Sequence, residues 1–466
     1  MYNQNDILRN IQSMNGEITS QIIKDLIDSH RQRHIKMKHM YDEYKGNVDI
    51  KKREFADVTK INRKSFNDFR GDIVDSSAGY LFGKPITYQI DGTEYSDSEY
   101  DFLKNQLEKF NLINNAEDLD SQTGKMAIIC GYASRLLYID KNGRERVCNI
   151  PPWETIFIQD GSVGEIQYAL RYYSFSVMDK KGNKKDYTKI EWYDDKNITY
   201  YIGDGNTFEL DTITEETSVV SHMFDYVPLI KFVNNDEELG DFEKAEENID
   251  NYDRLLSDAQ NEIEEFRLAY MIFEGVEIDE ETIQLARQTG AFNIPDGSKV
   301  SFLTKQMAGE FIEAHKKTLN DNIYKFTKTV DMSDEKFSGG QQSGESRKWK
   351  LLSMENKCVV KERKFVTGLR TQFKVLASAW AKKNINLDYI DIFFQFTRNI
   401  PVELQLEADT NSKLWGTISD KTRLSLLSFV DDPDYEKEQM EEERGINLDS
   451  ITLPETQEEE VEQGGD

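Results

Sequence analysis

The stretch of this chain with the most suggestive chemistry is a glycine-rich loop at residues 339–346. It reads Gly-Gly-Gln-Gln-Ser-Gly-Glu-Ser, which has the glycine spacing of a nucleotide-binding phosphate loop. In such a loop a lysine reaches the phosphates, but here Glu345 stands at that position and a carboxylate repels a phosphate. The periodicity upstream also predicts a helix, whereas a phosphate loop follows a strand. We therefore expect no nucleotide binding and no enzymatic activity.

Two histidines near the N-terminus have the spacing of a metal chelate. His30 and His34 lie four residues apart in a predicted helix, so both rings would project from one face. No third ligand follows until Asp42 and Glu43, and the three cysteines share no metal-ligand spacing. The run around the histidines is rich in lysine and arginine. We expect a solvated basic helix face there, with neither a metal nor a cofactor.

The composition is that of a soluble, polar globular protein with a large negative charge. The 466 residues are 31% charged and 38% hydrophobic, and the net charge is −28. A run of about eighteen apolar residues is missing, as is the signal-peptide pattern, so we expect neither a membrane span nor secretion. Phosphate contacts need lysine and arginine, which makes so acidic a protein a poor tight binder of nucleic acid. It remains suited to nucleic acid that must slide past it.

The charge is also unevenly distributed along the chain. Residues 431–466 carry fifteen acidic side chains against two basic ones, and we expect the final residues to form a disordered tail. Residues 347–383 have the opposite balance, with eleven basic and two acidic side chains. Residues 241–281 are again acidic, fifteen against three, and such a surface repels passing anions.

The chain is organised around a predicted helical hairpin, whose first leg is Asp241–Glu274. Apolar residues recur there at steps of three and four, and a helix of this length would reach roughly 50 Å. The stripe consists of Ala245, Ile249, Tyr252, Leu256, Ala259, Ile263, Phe266 and Tyr270. A second leg at residues 304–330 has the same spacing. A hairpin this long must pack against copies of itself or against partners, although a plain antiparallel coiled coil has the same pattern.

The remaining segments predict an α+β protein. Residues 1–60 are helical, Pro85 ends a helix and starts a strand, and two helices follow at residues 100–129. Short antiparallel strands with Asn-Gly and Asp-Gly turns then fill residues 132–233, beginning with a hairpin that turns at Lys141–Gly143. After the hairpin legs, a third long helix runs to about Lys383 and a strand follows at Tyr389–Thr397. Residues 404–430 are helical, with Ser419 or Asp420 as an N-cap.

Several motifs together resemble one protein family. In the first half of the chain the motifs are Asp72-Ile-Val-Asp with Gly79-Tyr-Leu-Phe-Gly-Lys-Pro, and the strand at residues 133–140 with Asn149-Ile-Pro-Pro-Trp-Glu. In the second half they are Asp250-Asn-Tyr-Asp-Arg with Ile263-Glu-Glu-Phe, then Phe337-Ser-Gly-Gly-Gln-Gln-Ser-Gly, and finally residues 419–432. In order and spacing they resemble the portal proteins of tailed bacteriophages, in the group typified by the portal of Bacillus phage SPP1. The resemblance covers residues 15–445.

The resemblance implies a fold and a division of the chain. Residues 1–240 would form an α+β wing, joined by a long kinked helix and a strand at residues 345–400. The stem would be a helical hairpin of residues 241–274 and 304–330, carrying a small clip at residues 275–303. A tunnel loop would lie at residues 331–344. A helical crown with the acidic tail would occupy residues 401–466.

The resemblance also implies a function and partners. Such proteins form a ring, twelve-fold in the virion, at a unique capsid vertex. Double-stranded DNA passes through that ring during packaging and ejection. The clip docks the terminase large subunit and later the head-completion adaptor, and the ring meets major capsid and scaffolding proteins. The protein would be a virion component assembled in the cytoplasm of the bacterial host.

Three sets of candidate residues follow from this assignment. The candidates for light contact with DNA at the tunnel loop are Lys336, Gln341, Gln342, Arg347, Lys348 and Lys350. The candidates for contacts between subunits along the stem are Ile249, Tyr252, Leu256, Ile263 and Phe266. The clip residues expected in the docking region are Gly275, Ile283, Leu285, Phe292 and Pro295.

Two other functions remain open from the sequence. The hairpin is compatible with a coiled-coil scaffold or assembly protein that never meets DNA. A nucleotide-driven motor subunit is disfavoured by the altered phosphate loop.

Overall fold

The computed structural model describes most of the chain. The described residues are 4–14, 18–58, 60–159, 165–178, 182, 184–266, 270–275, 277, 279–290, 295–303, 309–331, 344–400, 404–427, 429–430 and 433–449. The chain divides into two compact units, residues 1–398 and residues 399–466. No helix among the described residues is both long enough and apolar enough to cross a membrane.

The helices of the larger unit begin at the N-terminus and recur between the sheets. They are α1 (Gln4–Ser13), α2 (Ser20–Tyr44), α3 (Asp49–Lys52), α4 (Phe69–Phe82), α5 (Asp97–Asn114), α6 (Ala116–Cys130), α7 (Glu246–Phe266), α8 (Glu280–Thr289), α9 (Gly309–Thr327) and α10 (Gly344–Lys382). The smaller unit contains α11 (Leu404–Leu414), α12 (Asp420–Leu424) and α13 (Pro433–Asp449). The Ser419 hydroxyl accepts a hydrogen bond from the backbone N–H of Thr422, which confirms Ser419 as the N-cap of α12.

The described strands form four sheets, and each described pairing is antiparallel. The strands are β1 (Thr87–Ile90), β2 (Tyr132–Ile139), β3 (Glu145–Ile150), β4 (Thr155–Gln159), β5 (Ile166–Met178), β6 (Lys184–Tyr193), β7 (Asn197–Gly203), β8 (Phe208–Leu210), β9 (Val219–Ser221), β10 (Leu229–Val233), β11 (Tyr270–Glu274), β12 (Lys299–Leu303) and β13 (Ile392–Gln395). The largest sheet has the order β4-β5-β6-β7-β8, and β9 also pairs with β7. A second sheet has the order β10-β2-β3, and the remaining pairs are β1-β13 and β11-β12.

One hydrophobic core lies between the N-terminal helices and the largest sheet. Apolar residues of α1 and α2, such as Ile11, Ile23 and Leu26, pack on Ile158 and Trp192 of that sheet. Burial of these side chains, at about 25 cal/mol per Å² of apolar surface, is what holds the two helices on the strands.

A second packing region surrounds α10. The ring of Phe365 on α10 lies 4.9 Å from the rings of both Phe82 and Phe232. A Cβ added to Gly368, in the middle of α10, would come within 2.5 Å of the Phe232 ring. Here glycine permits close approach of strand β10 to the helix.

The α+β class is confirmed, and several predicted elements match. The β2–β3 hairpin turns at residues 140–144, as the Lys141–Gly143 signal predicts. Three elements differ. The first hairpin leg is helical only to Phe266, because Tyr270–Glu274 pairs with Lys299–Leu303 as strand β11. The strand expected at Tyr389–Thr397 is only Ile392–Gln395, and the helix expected at residues 404–430 is interrupted after Leu414.

Candidate stem and subunit interface

The base of the α7–α9 hairpin is fixed by a buried carboxylate. Asp241 lies five residues before α7, and its Oδ2 is 2.7 Å from Nζ of Lys357 and also contacts Nζ of Lys361, both on α10. Asn234 Nδ2 donates to Oδ1 over 3.0 Å. Burial would raise the pKa of Asp241, but the two lysines outweigh it and hold the pKa well below its usual value. Lys357 also donates to the carbonyl of Thr327 at the end of α9, so one cluster joins both legs to α10.

A polar ladder on α7 holds an extended segment alongside it. The backbone N–H groups of Arg63, Ser65 and Asn67 donate to the side chains at positions 261, 257 and 253. These acceptors are Asn261, Ser257 and Asp253, four residues apart, and all three are buried. Four helical residues advance about 6 Å and two extended residues about 6.6 Å, so the two spacings match. The i, i+4 spacing of these polar residues is a sequence signal for this contact, which the apolar stripe of the same helix does not reveal.

The predicted subunit-interface stripe on α7 changes from buried to exposed along the helix. Ile249 is fully buried and Tyr252 is 8% exposed, and the Tyr252 ring packs edge-on against Phe69 at 4.9 Å. These two residues therefore belong to the core of the single chain, and their predicted role between subunits stays a prediction. Leu256 is mostly buried with part of its side chain accessible, whereas Ile263 is exposed, with half of its surface accessible to solvent. Phe266 ends the helix, and its side chain lies outside the described part.

Helix α9 repeats this gradient in the opposite direction along the chain. Leu319 and Ile323 are buried, while Phe311, in its first turn, is 70% exposed. Because α7 ends and α9 begins at the β11–β12 end of the hairpin, the exposed apolar side chains Ile263 and Phe311 both belong to that end. Among the described residues, the apolar side chains of the hairpin are thus buried at its base and exposed near its tip.

Beyond the hairpin tip lie β11, α8 and β12, which contain the predicted docking residues. Gly275 follows β11 with a φ of +79°, a left-handed conformation that favours glycine. Ile283 is half-buried on α8, and Pro295 is exposed in a turn in which its carbonyl accepts from the N–H of Ser298. Leu285 lies on α8 with its side chain outside the described part, and Phe292 lies outside the described residues. Among described residues, neither strand of the β11–β12 pair has a second neighbour.

Most of the basic residues between Arg363 on α10 and Lys383, just beyond its end, form ion pairs within the chain. The acidic partners of Lys364, Lys374, Lys382 and Lys383 are Asp236, Glu165, Asp225 and Glu145. Among the basic side chains that the structure describes in residues 347–383, most therefore form ion pairs with other segments of the chain. Arg363 and Arg370 are exposed and have no ion-pair partner among the described residues.

The candidate DNA-contacting residues lie at or beside the limit of the described chain. Lys336, Gln341 and Gln342 fall in residues 332–343, outside the described part. The other three, Arg347, Lys348 and Lys350, lie in the first turns of α10, where the backbone is described and these side chains are not. Their contact with DNA stays a prediction.

The two histidines at i, i+4 spacing lie in a buried polar cluster. His30 Nδ1 is 2.9 Å from the hydroxyl of Tyr172 on β5, and His34 Nδ1 is 2.8 Å from the carbonyl oxygen of Trp153. Burial, together with the positive charges of Arg33 and Lys231, lowers the pKa of His30 to about 3. The expectation of a solvated basic face is therefore wrong for His30, which is neutral and holds α2 against the sheet.

Comparison with known proteins agrees with this architecture. Residues 23–446 match the family model described as phage portal protein, SPP1 Gp6-like. The portal protein of Bacillus phage SPP1 is 25% identical over 464 residues, covering 92% of this chain and 87% of its own. The portal protein of Clostridium phage phiCD119 is 27% identical over 430 residues, covering 88% and 91%. This chain belongs to the SPP1-type family of phage portal proteins.

Proposed function

We propose that this protein assembles into a closed ring of about twelve copies at one capsid vertex and that the ring is the channel for DNA packaging and ejection. The wing is residues 1–240 with 345–400, the stem is the α7–α9 hairpin, and the clip is residues 275–303. The tunnel loop is residues 331–344 and the crown is residues 401–466. The protein is a virion component, assembled in the host cytoplasm, and contacts major capsid and scaffolding proteins.

The observation that carries the ring is the bare apolar tip of the stem. Ile263 and Phe311 are 50% and 70% exposed in the single chain, although both occupy the apolar stripe of an amphipathic helix. An apolar stripe that its own chain leaves uncovered marks an association surface. Identical stems related by a rotation that closes would cover each tip with the next one.

The charge of the stem suits a conduit better than a nucleic-acid clamp. Helix α7 carries eight acidic residues and one basic residue. Double-stranded DNA has one negative charge per about 1.7 Å of its axis, so an acidic wall keeps it from adhering. We assign brief phosphate contacts to the tunnel-loop candidates Lys336, Gln341, Gln342, Arg347, Lys348 and Lys350.

The clip is the proposed docking platform for the terminase large subunit and, later, the head-completion adaptor. It projects beyond the stem as the β11–β12 pair with α8, and Gly275 and Pro295 mark its turns. Both outer edges of that strand pair offer backbone N–H and carbonyl groups to an added strand. Ile283, Leu285 and Phe292 supply its apolar character.

The ring is tested with a charge placed in the bare tip. Ile263→Asp puts a carboxylate on the apolar stripe at an exposed position, where a single chain tolerates it. Asn251→Asp adds the same charge at an exposed polar position of the same helix and serves as the control. Negative-stain microscopy and light scattering should show rings near twelve chains of 54.2 kDa for the wild type and for Asn251→Asp. Ring formation by Ile263→Asp at wild-type yield would contradict the assignment.

Two further experiments separate the conduit from its alternatives. A crosslinker at Gln341 should react with DNA in packaged heads, and absence of any product would favour a scaffold that never meets DNA. We assign ATP hydrolysis to the terminase, so purified rings should have no ATPase activity. Robust turnover without terminase would instead favour a motor subunit.

A further inference from the structure

Three side chains that the proposed function does not use meet where α2 passes the start of α7. His39 and Glu43 lie four residues apart on α2, and Glu246 is the first residue of α7. His39 Nε2 is 3.2 Å from Glu246 Oε1 and 3.6 Å from Glu43 Oε1. One nitrogen and two carboxylate oxygens therefore lie within 4.8 Å of one another, on two separate elements.

Only the shorter of these two distances, from His39 to Glu246, is within hydrogen-bond range. A histidine N–H donates along one direction, and a charge-assisted N–H···O bond is about 2.7–2.9 Å long. The 3.2 Å separation is long for such a bond, and 3.6 Å is outside the range. A tetrahedral ion with bonds of about 2.0–2.1 Å places its ligand atoms about 3.3–3.4 Å apart. The two nitrogen–oxygen separations bracket that value, and the two carboxylate oxygens lie within 4.8 Å of each other, so one ion could contact all three atoms after small side-chain movements.

The electrostatic setting also favours a cation. Glu43 is buried, and its carboxylate accepts from Nε and Nη2 of the buried Arg70, each over 3.1 Å. Arg70 Nη2 also donates to Asp250 Oδ1 over 2.7 Å. The one guanidinium of Arg70 thus pairs with two carboxylates, those of Glu43 and Asp250, while Glu246 faces His39.

We propose that His39, Glu43 and Glu246 bind a divalent transition-metal ion, with zinc as the best match, and that water completes its coordination. An imidazole nitrogen with two carboxylate oxygens suits zinc, while magnesium and calcium prefer oxygen ligands alone. Arg70 orients Glu43, in the way that supporting hydrogen bonds hold metal ligands elsewhere. The His-x-x-x-Glu spacing at residues 39–43 is the sequence signature of this site.

The position of the site gives the ion a structural role. Lys36, one turn before His39, pairs with Glu243 just ahead of α7, so the same two elements already meet through an ion pair. A bound ion would clamp α2, and with it the N-terminal core, to the start of the stem. Metal binding would thereby fix the angle at which the stem leaves the wing.

The site is tested by titrating zinc into chelator-treated full-length protein in competition with a chromophoric indicator. Wild-type protein should bind one zinc ion per chain. The zinc affinity of His39→Gln and of Glu246→Gln should each be at least about tenfold lower, since loss of even a supporting contact lowers metal affinity by about 10–100-fold. Glu247→Gln, at an exposed neighbouring position, is the matched control and should bind like the wild type. Glu43 is not substituted, because its loss would leave the buried guanidinium of Arg70 without its buried ion-pair partner.

Two more readouts make the result decisive. Cobalt in place of zinc should give the visible absorption of a tetrahedral site in the wild type and lose it in Glu246→Gln. Saturating zinc should raise the thermal midpoint of wild type and control but not of the two ligand variants. Equal zinc affinity of wild type and Glu246→Gln would overturn the proposal, as would equal competition by magnesium.

Discussion

Replacing Asp241 with asparagine removes the negative charge that two lysines share at the base of the stem. Asp241 is buried, Lys361 is 5% exposed, and the side chain of Lys357 is 18% exposed and donates to the carbonyl of Thr327 on α9. Asparagine keeps the shape and still accepts from Asn234, so the substitution tests charge with little change in packing. The two ammonium groups are left close together with no counter-charge on the side chain they both contact.

The expected cost follows from burial. Removing one partner of a buried ion pair costs about 3–5 kcal/mol, because the remaining charge stays out of water. Asp236→Asn is the matched control, since Asp236 lies in the same segment and pairs with Lys364 of the same helix. Its side chain is 75% exposed, and an exposed pair contributes only about 0–1 kcal/mol. The two variants should therefore differ by about 2–5 kcal/mol, and at about 1.4 kcal/mol per factor of ten this is roughly one and a half to three and a half orders of magnitude in local opening.

Hydrogen exchange measures that opening directly. Amides in residues 234–245 and 350–365 should exchange at least about thirtyfold faster in Asp241→Asn than in Asp236→Asn, while the sheet amides of β5 and β6 remain at wild-type rates. The same variant should form fewer rings, because both stem legs lose their anchor to α10. Exchange rates within about tenfold of the control would refute the view that this buried charge holds the stem in place.

Two further predictions concern the wing. Gly368→Ala should lower the free energy of unfolding, measured by urea titration, by about 1–3 kcal/mol, since the added Cβ meets the buried ring of Phe232. Gly79→Ala is the control: it lies in a helix with open space around it and should be neutral or slightly stabilising in the same titration. His30 has a pKa of about 3 when folded and about 6.5 when unfolded, so the unfolded chain binds more protons between these values and stability falls as pH falls. From pH 7 to pH 5 His30 should account for about 2 kcal/mol of lost stability. The His30→Gln variant should lack that part of the pH dependence. Identical profiles of unfolding free energy against pH for the wild type and His30→Gln would contradict this prediction.

The family and the order of elements could be predicted from the sequence because both depend on local signals. Turn residues such as Asn142 and Gly143 fix a hairpin by their own backbone preferences, and Ser419 caps a helix with its own hydroxyl. The long third helix was predicted almost to its last residue, Lys382, since helical periodicity over nearly forty residues is hard to mistake.

The end of the first stem leg was predicted wrongly for a physical reason. Tyr270 continues the heptad spacing, but the run Tyr270–Glu274 is short, aromatic and β-branched, so it suits a strand equally well. Its partner Lys299–Leu303 lies about thirty residues away in the chain. A pairing at that distance cannot be read from local periodicity.

The sequence by itself determined which residues share a face, and the tertiary structure decided what covers that face. Ile249 and Ile263 occupy one stripe, yet the first is core and the second is surface, because α9 and the segment at residues 60–68 pack only against part of α7. The basic run of α10 is likewise clear in the sequence, but its acidic partners come from four separate segments. Periodicity and charge are properties of neighbours along the chain, whereas burial and ion pairing depend on residues that only folding brings together.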